Sequence, residues 1–156
     1  MLLNTYSRLP MKTVTLTTEA MARRGAKFKA NIHPKCLTCK LYKVCVSRLR
    51  PGFNYEVLKV RNKVHTCPIT GSRMRVVEVK PLPVSIVVES NFAVAGVTFN
   101  YEPIICDNIN CANYDICSRS ILIKGEKVRV IEVVKTLRCP LGRRLSLVRV
   151  LPLSLL

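Results

Sequence analysis

Apolar and polar positions alternate along most of the chain with a period of two, and Val, Ile and Thr dominate the alternating runs. That pattern predicts strands, because successive side chains of a strand point to opposite faces and β-branched residues suit a pleated surface. Two long runs share one grammar. "GFNYEVLKVRNKVHTCP" (Gly52 to Pro68) and "GEKVRVIEVVKTLRCP" (Gly125 to Pro140) each place a glycine turn before a β-branched run that ends at Cys-Pro. "MRVVEVK" from Met74 and "LSLVRVL" from Leu145 follow as second strands, and "TVTLT" at 13–17 and "AVAGVTFNYEP" at 93–103 supply an additional strand before each cysteine group. Helical periodicity is nowhere sustained, so short helices are predicted only near "EAMARRG" and inside "TCKLYKVC" and "CANYDIC". The expected fold is mostly β with a small α content.

The cysteines turn this pattern into a duplication. At an offset of 72, Cys39 falls on Cys111, Tyr42 on Tyr114, Val44 on Ile116, Cys45 on Cys117, Cys67 on Cys139 and Pro68 on Pro140. Only the opening cysteines, Cys36 and Cys106, are out of step. So many matches at one offset predict two tandem duplicated four-cysteine metal-binding β modules. Their expected bounds are 11–80 for a strongly basic first module and 81–156 for the second. Residues 1–10 are expected to form a disordered extension, since "MKTVTLTTEAMARRG" from Met11 reads as a fresh start.

Charge is distributed as unevenly as the cysteines are regular. The chain has 26 Lys and Arg against 9 Asp and Glu, a formal +17, and 1–80, 81–118 and 119–156 contribute +14, −4 and +7. An excess of this size exceeds what solubility requires and points to a polyanion. In "YEVLKVRNKV", alternation puts Lys59, Arg61 and Lys63 on one face and Leu58, Val60 and Val64 on the other. Arg73 and Arg75 repeat that two-residue period, and "ARRGAKFKA" adds Arg23, Arg24, Lys27 and Lys29. These nine cations are the expected RNA-binding residues, the bland alternative being a charged sheet edge that discourages aggregation. The longest apolar stretch, "VSIVVESNFAVAGV", is interrupted by Glu89, Ser90 and Asn91, so no membrane span is expected and the protein should be cytoplasmic.

Three chemistries could use four thiols per module. Disulfides would give a bridge framework, but bridges have no reason to repeat four positions at nearly the same spacing. Structural zinc takes four thiolates at tetrahedral corners, commonly as two close pairs. Cys36-x2-Cys39 fits that habit, whereas Cys45 and Cys67 are far apart and the second group opens as Cys106-x4-Cys111. A [4Fe–4S] cubane takes one thiolate at each of four irons and tolerates wider, less regular spacing, so it is favoured, with zinc the alternative. The metal-ligand set is Cys36, Cys39, Cys45 and Cys67 with Cys106, Cys111, Cys117 and Cys139, and spacing leaves open whether Cys67 and Cys139 close their own or the opposite centre. His33 and His65 flank the first group, His65 as a loop or RNA-facing residue, and Tyr42 and Tyr114 are expected to pack against the metal loops.

The paired cysteine layout, with Gly52, Tyr55, Val57, Val60, Arg61, His65 and Cys67 in a "GxxYxVxxVR" strand and "HxC" turn, resembles a family of small archaeal proteins of uncharacterised function over roughly Met11 to Leu151. What the resemblance implies is a protein without catalytic activity, similar to the archaeal-specific additions to the small ribosomal subunit. The sequence itself shows no phosphate loop, nucleotide fingerprint or paired catalytic carboxylates, so neither an enzyme nor a small-molecule substrate is expected. The expectation is a metal-stabilised protein binding ribosomal RNA and neighbouring ribosomal proteins, with an iron–sulfur electron-transfer or redox accessory protein as the alternative.

Overall fold

A computed structural model describes residues 11–156, so the expected extension at 1–10 lies outside the described residues. These residues divide into two compact units, one ending at Leu82 and the other beginning at Pro83. The first unit contains strands β1 (Thr13–Thr18), β2 (Lys27–Lys29), β3 (Asn54–Thr66) and β4 (Arg73–Pro81), with the short helix α1 (Tyr42–Cys45). Its sheet is antiparallel, in the order β1-β4-β3-β2. Alternating β-branched residues explain both the strands and their packing. Val77 and Val79 on the central β4 are fully buried, opposite Thr15 and Thr13 on β1 and opposite Val60 and Val57 on β3. Phe53 and Tyr55 close the core, and the Tyr55 hydroxyl accepts the Arg50 backbone N–H at 2.8 Å.

The second unit repeats this plan with β5 (Val84–Glu89), β6 (Thr98–Asn100), β7 (Lys127–Arg138) and β8 (Arg144–Pro152), ordered β5-β8-β7-β6, and with helix α2 (Tyr114–Ser118). Val148 and Val150 occupy the central positions, opposite Ile86 and Val84 on β5 and Val133 and Val130 on β7. A glycine opens each long strand from the left-handed region: Gly52 at φ +85° donates to the Ala30 carbonyl, and Gly125 at φ +84° donates to that of Tyr101. Side chains other than glycine rarely adopt that conformation, so the turn glycine is fixed by geometry.

Two readings of strand placement need correction. The first edge strands correspond as "TVTLTT" (β1) and "VSIVVE" (β5), not as "TVTLT" and "AVAGVTFNYEP". The latter stretch holds β6 and is the counterpart of "ARRGAKFKA", which holds β2. Nor does β3 alternate simply. Its buried residues Tyr55 and Val57 share the odd parity of Lys59, Arg61 and Lys63, because the register shifts between Val57 and Lys59 and again between Val60 and Val64. A bulge inserts an unpaired residue and reverses which parity faces inward, so the three cations are exposed although their strand neighbours at 55 and 57 are core. The short helices fall where expected, except that "EAMARRG" supplies only a 3-10 turn at Glu19–Met21.

Candidate metal centres

In each unit the cysteine group folds as a loop over one end of the long β-hairpin. Pro34 starts a 3-10 turn (Pro34–Thr38) that carries Cys36, and the His33 ring caps it by accepting the Lys35 N–H at 3.1 Å. Cys39 follows, its sulfur accepting the Leu41 N–H at 3.4 Å, and Cys45 ends α1. Cys67 stands just after β3 in a turn closed by Gly71 N–H to the Cys67 carbonyl at 2.8 Å and Cys67 N–H to the Ser72 carbonyl at 2.9 Å. All four sulfurs line one cleft of about 320 Å³ together with Leu16, Tyr42, Ile69 and Met74. Thr15 ties this loop to the sheet by donating its hydroxyl to the Cys45 carbonyl.

The second cleft is about 410 Å³ and is lined by Cys106, Cys111, Cys117 and Cys139 with Tyr114, Asn108, Asn113, Arg138 and Arg143 among its walls. Sulfur again accepts backbone N–H groups, from Asn108 to Cys106 and from Asn113 to Cys111, each at 3.4 Å. Tyr42 and Tyr114 take equivalent places in the two walls.

Electrostatics shows how closely the thiols are gathered. Burial pushes the Cys45 thiol up to about 11, reinforced by negative charge on Cys36, Cys67 and Cys39, while a backbone hydrogen bond at Leu16 opposes the rise. Cys117 is raised by burial and then by Cys111, Cys139 and Cys106, with Arg143 opposing. Cys67 is lowered, chiefly by hydrogen bonds from the hydroxyl and N–H of Thr70 and also from the Ile69 N–H. Each set of four therefore belongs to one unit: Cys67 stands with Cys36, Cys39 and Cys45, and Cys139 with Cys106, Cys111 and Cys117. None of the eight is in a disulfide.

Proximity has a limit, however. Among the described residues, no three His, Cys, Asp or Glu side chains are placed to hold a metal ion, so the structure gives two four-cysteine β modules without showing them as the metal-binding modules expected. His65 lies on β3 opposite Met74, outside the lining of the cleft. Residues missed from sequence are Thr70 and Arg143, because the Cys-Pro turn of the second copy is one residue shorter. Aligning Gly71 with Gly142, instead of counting from the cysteines, exposes the exchange.

The nine nominated cations are scattered more widely and are less available. Arg23 and Arg24 sit in the turn after Glu19–Met21, with Arg23 reaching the Ala20 carbonyl at 3.5 Å. Lys27 and Lys29 flank Phe28 on β2, and Lys59 and Lys63 are exposed on irregular β3. Arg61 pairs with Glu78 at 3.4 Å, while Arg73 and Arg75 both pair with Glu19, at 3.4 and 3.1 Å. Arg75 also donates to the Arg61 and Asn62 carbonyls at 3.4 Å, holding the bulged part of β3. No helix among the described residues is long and apolar enough to cross a membrane.

Two antiparallel sheets, each with a four-thiol cleft at one end, define a duplicated four-cysteine β protein. The chain belongs to the family described as "Uncharacterised protein family (UPF0179)", whose model matches residues 13–150. It is 36% identical over 141 residues to a UPF0179 protein of Methanosarcina mazei, covering 87% of this chain and 93% of the relative. It is 33% identical over 135 residues to one of Methanocaldococcus jannaschii, covering 85% and 89%, and 33% identical over 139 residues to one of Pyrococcus abyssi, covering 88% and 96%. No solved structure matches. The archaeal family expected from the cysteine layout is thus the right one, but the ribosomal expectation is overturned. Neither the family's description nor these relatives' names give a ribosomal, RNA-binding or electron-transfer role.

Proposed function

We propose that the protein is a double cluster-binding protein, in which each unit holds one [4Fe–4S] cluster on its own four cysteines. The observation that supports this reading is that four cysteines line one cleft in each unit, offered by the chain at wide and irregular spacing. Backbone N–H groups directed at Cys39, Cys106 and Cys111 suit thiolate ligands, since such bonds favour the ionised sulfur. Cysteine must lose its proton to bind, and burial with mutual repulsion keeps Cys45 and Cys117 protonated in the metal-free chain. Binding therefore releases protons. The cofactor has a structural task as well: it joins a loop that has little regular structure to the end of a hairpin, in a unit whose own core is small.

Anaerobic expression, purification and analysis for iron, acid-labile sulfide and zinc test the reading. The expected result is a brown protein with about eight iron and about eight sulfide per chain, as two cubanes require. Colourless protein with two zinc ions per chain, and no sulfide, would overturn it.

A further inference from the structure

The two clefts share a frame but differ in charge. In the first, no cation is among the lining residues. In the second, the shorter turn has no residue in the place of Thr70, and Arg143 stands where the first unit has Ser72. Arg138 and Arg143 both line the cleft, and Arg143 donates to the Ile105 carbonyl at 2.9 Å, one residue before Cys106.

We propose that Arg143 is the counter-cation of the second centre, clamping the Cys106 loop and compensating the negative charge of whatever four-thiolate group is bound there. The inference builds on the double-cluster reading but concerns charge alone. An oxidised cubane and a zinc ion each reach a net charge of about −2 once four thiolates are attached. A guanidinium beside the second such group offsets part of that charge, and because Arg143 is exposed the interaction is open to screening by salt. The first cleft has no such cation in its lining. The two centres are therefore inequivalent: the second retains its metal longer, and its retention depends on ionic strength.

The test uses the full-length, metal-loaded chain and follows metal release to excess chelator. Wild-type protein should release its metal in two phases of equal amplitude. Arg143→Ser, which installs the residue of the first unit, should accelerate the slow phase roughly tenfold and leave the fast phase unchanged, the factor that corresponds to about 1.4 kcal/mol. Arg143→Lys should keep most of the slow phase, and raising salt should accelerate it in the wild type but not in Arg143→Ser. A purely structural clamp would not give that salt dependence. For iron-loaded protein, the same variant should lower one of two midpoint potentials by about 59 mV, the one-electron equivalent of a factor of ten. Arg119→Ser, on an exposed residue paired with Asp115, serves as the control. A single release phase in the wild type, equal acceleration by Ser and Lys, or absence of bound metal would each overturn the proposal. Zinc in place of iron would overturn the cluster reading while the Arg143 effect could still be present, so the two failures are distinguishable.

Discussion

Removing Cys67 asks which centre it closes, and the structure gives a numerical answer. Cys67 shares its cleft with Cys36, Cys39 and Cys45, and its negative charge acts on Cys45. Alanine is the right replacement, because a serine oxygen can stand in for a thiolate. From about eight iron per chain in the wild type, Cys67→Ala should leave about four, since a cubane with three protein thiolates is lost to a chelator wash. The double variants carry the discrimination. Cys39→Ala with Cys67→Ala strikes one centre twice and should still leave about four iron, whereas Cys67→Ala with Cys111→Ala strikes both and should leave almost none. Had the long hairpins exchanged their cysteines between units, the two results would be reversed. Iron and sulfide on anaerobically purified, chelator-washed protein give the readout. Four iron retained by the Cys67/Cys111 double variant would refute the assignment of each four-cysteine set to its own unit.

Core truncation should reveal two unfolding transitions. Val148→Ala removes the equivalent of two methylenes from a fully buried site opposite Ile86 and Val133. The transfer loss of about 1.6 kcal/mol and a cavity term together predict about 2–3 kcal/mol. Differential scanning calorimetry should show one transition lowered and the other unmoved, and Val77→Ala should move the other one; a single transition shifted by both variants would contradict independent units. Tyr55→Phe should cost about 1 kcal/mol by leaving the Arg50 N–H without its acceptor. Burial raises the Tyr55 hydroxyl above its ordinary value of 10.0, so the folded state favours the neutral phenol. That contribution is complete below the unfolded value and is lost as pH rises through the folded one. Stability measured across that alkaline range should therefore fall less steeply in Tyr55→Phe than in the wild type, and identical slopes would refute the assignment.

Much of the fold was legible because its signals are local. A glycine turn, a β-branched run and a terminal Cys-Pro mark both long hairpins, and the same residues form β3 and β7. Bulges were not legible. Lys59 and Arg61 continue the period of Tyr55 and Val57, and only pairing with β4 shows that the register slips between Val57 and Lys59. The edge strands were mismatched for a related reason: "VSIVVE" lies in a stretch so apolar that it read as a continuous run, while its counterpart "TVTLTT" stood out by its threonines. Among the candidate site residues, the eight cysteines were found from spacing, but their convergence depends on loops whose path no periodicity encodes. Arg143 was hidden by a one-residue deletion in a turn. Charge was the least transferable signal, since composition gives an excess of cations without giving their neighbours, such as the Glu19 that pairs with both Arg73 and Arg75.

Divergence between the copies separates what a cleft requires from what surrounds it. Glu19 and Arg75 hold the edge of the first sheet by ion pairs, but their counterparts in the second are Ser90 and Ser146, joined by a 2.8 Å hydrogen bond. The bulge region of β3 presents Lys59, Arg61 and Lys63, while that of β7 exposes Ile131, Val133 and Val134. Polar and charged contacts were thus exchanged for neutral or apolar ones at several sites, and the strand orders and four-cysteine clefts are the same in both. Exposed ion pairs contribute little, about 0–1 kcal/mol each, so replacing them is energetically cheap. The sulfurs answer to a stricter demand, because four thiols gathered without a metal repel one another on ionisation and lower the stability of the loop that carries them. On the double-cluster reading, the raised thiols of Cys45 and Cys117 ionise only when a cationic group enters the cleft they share with their three neighbours.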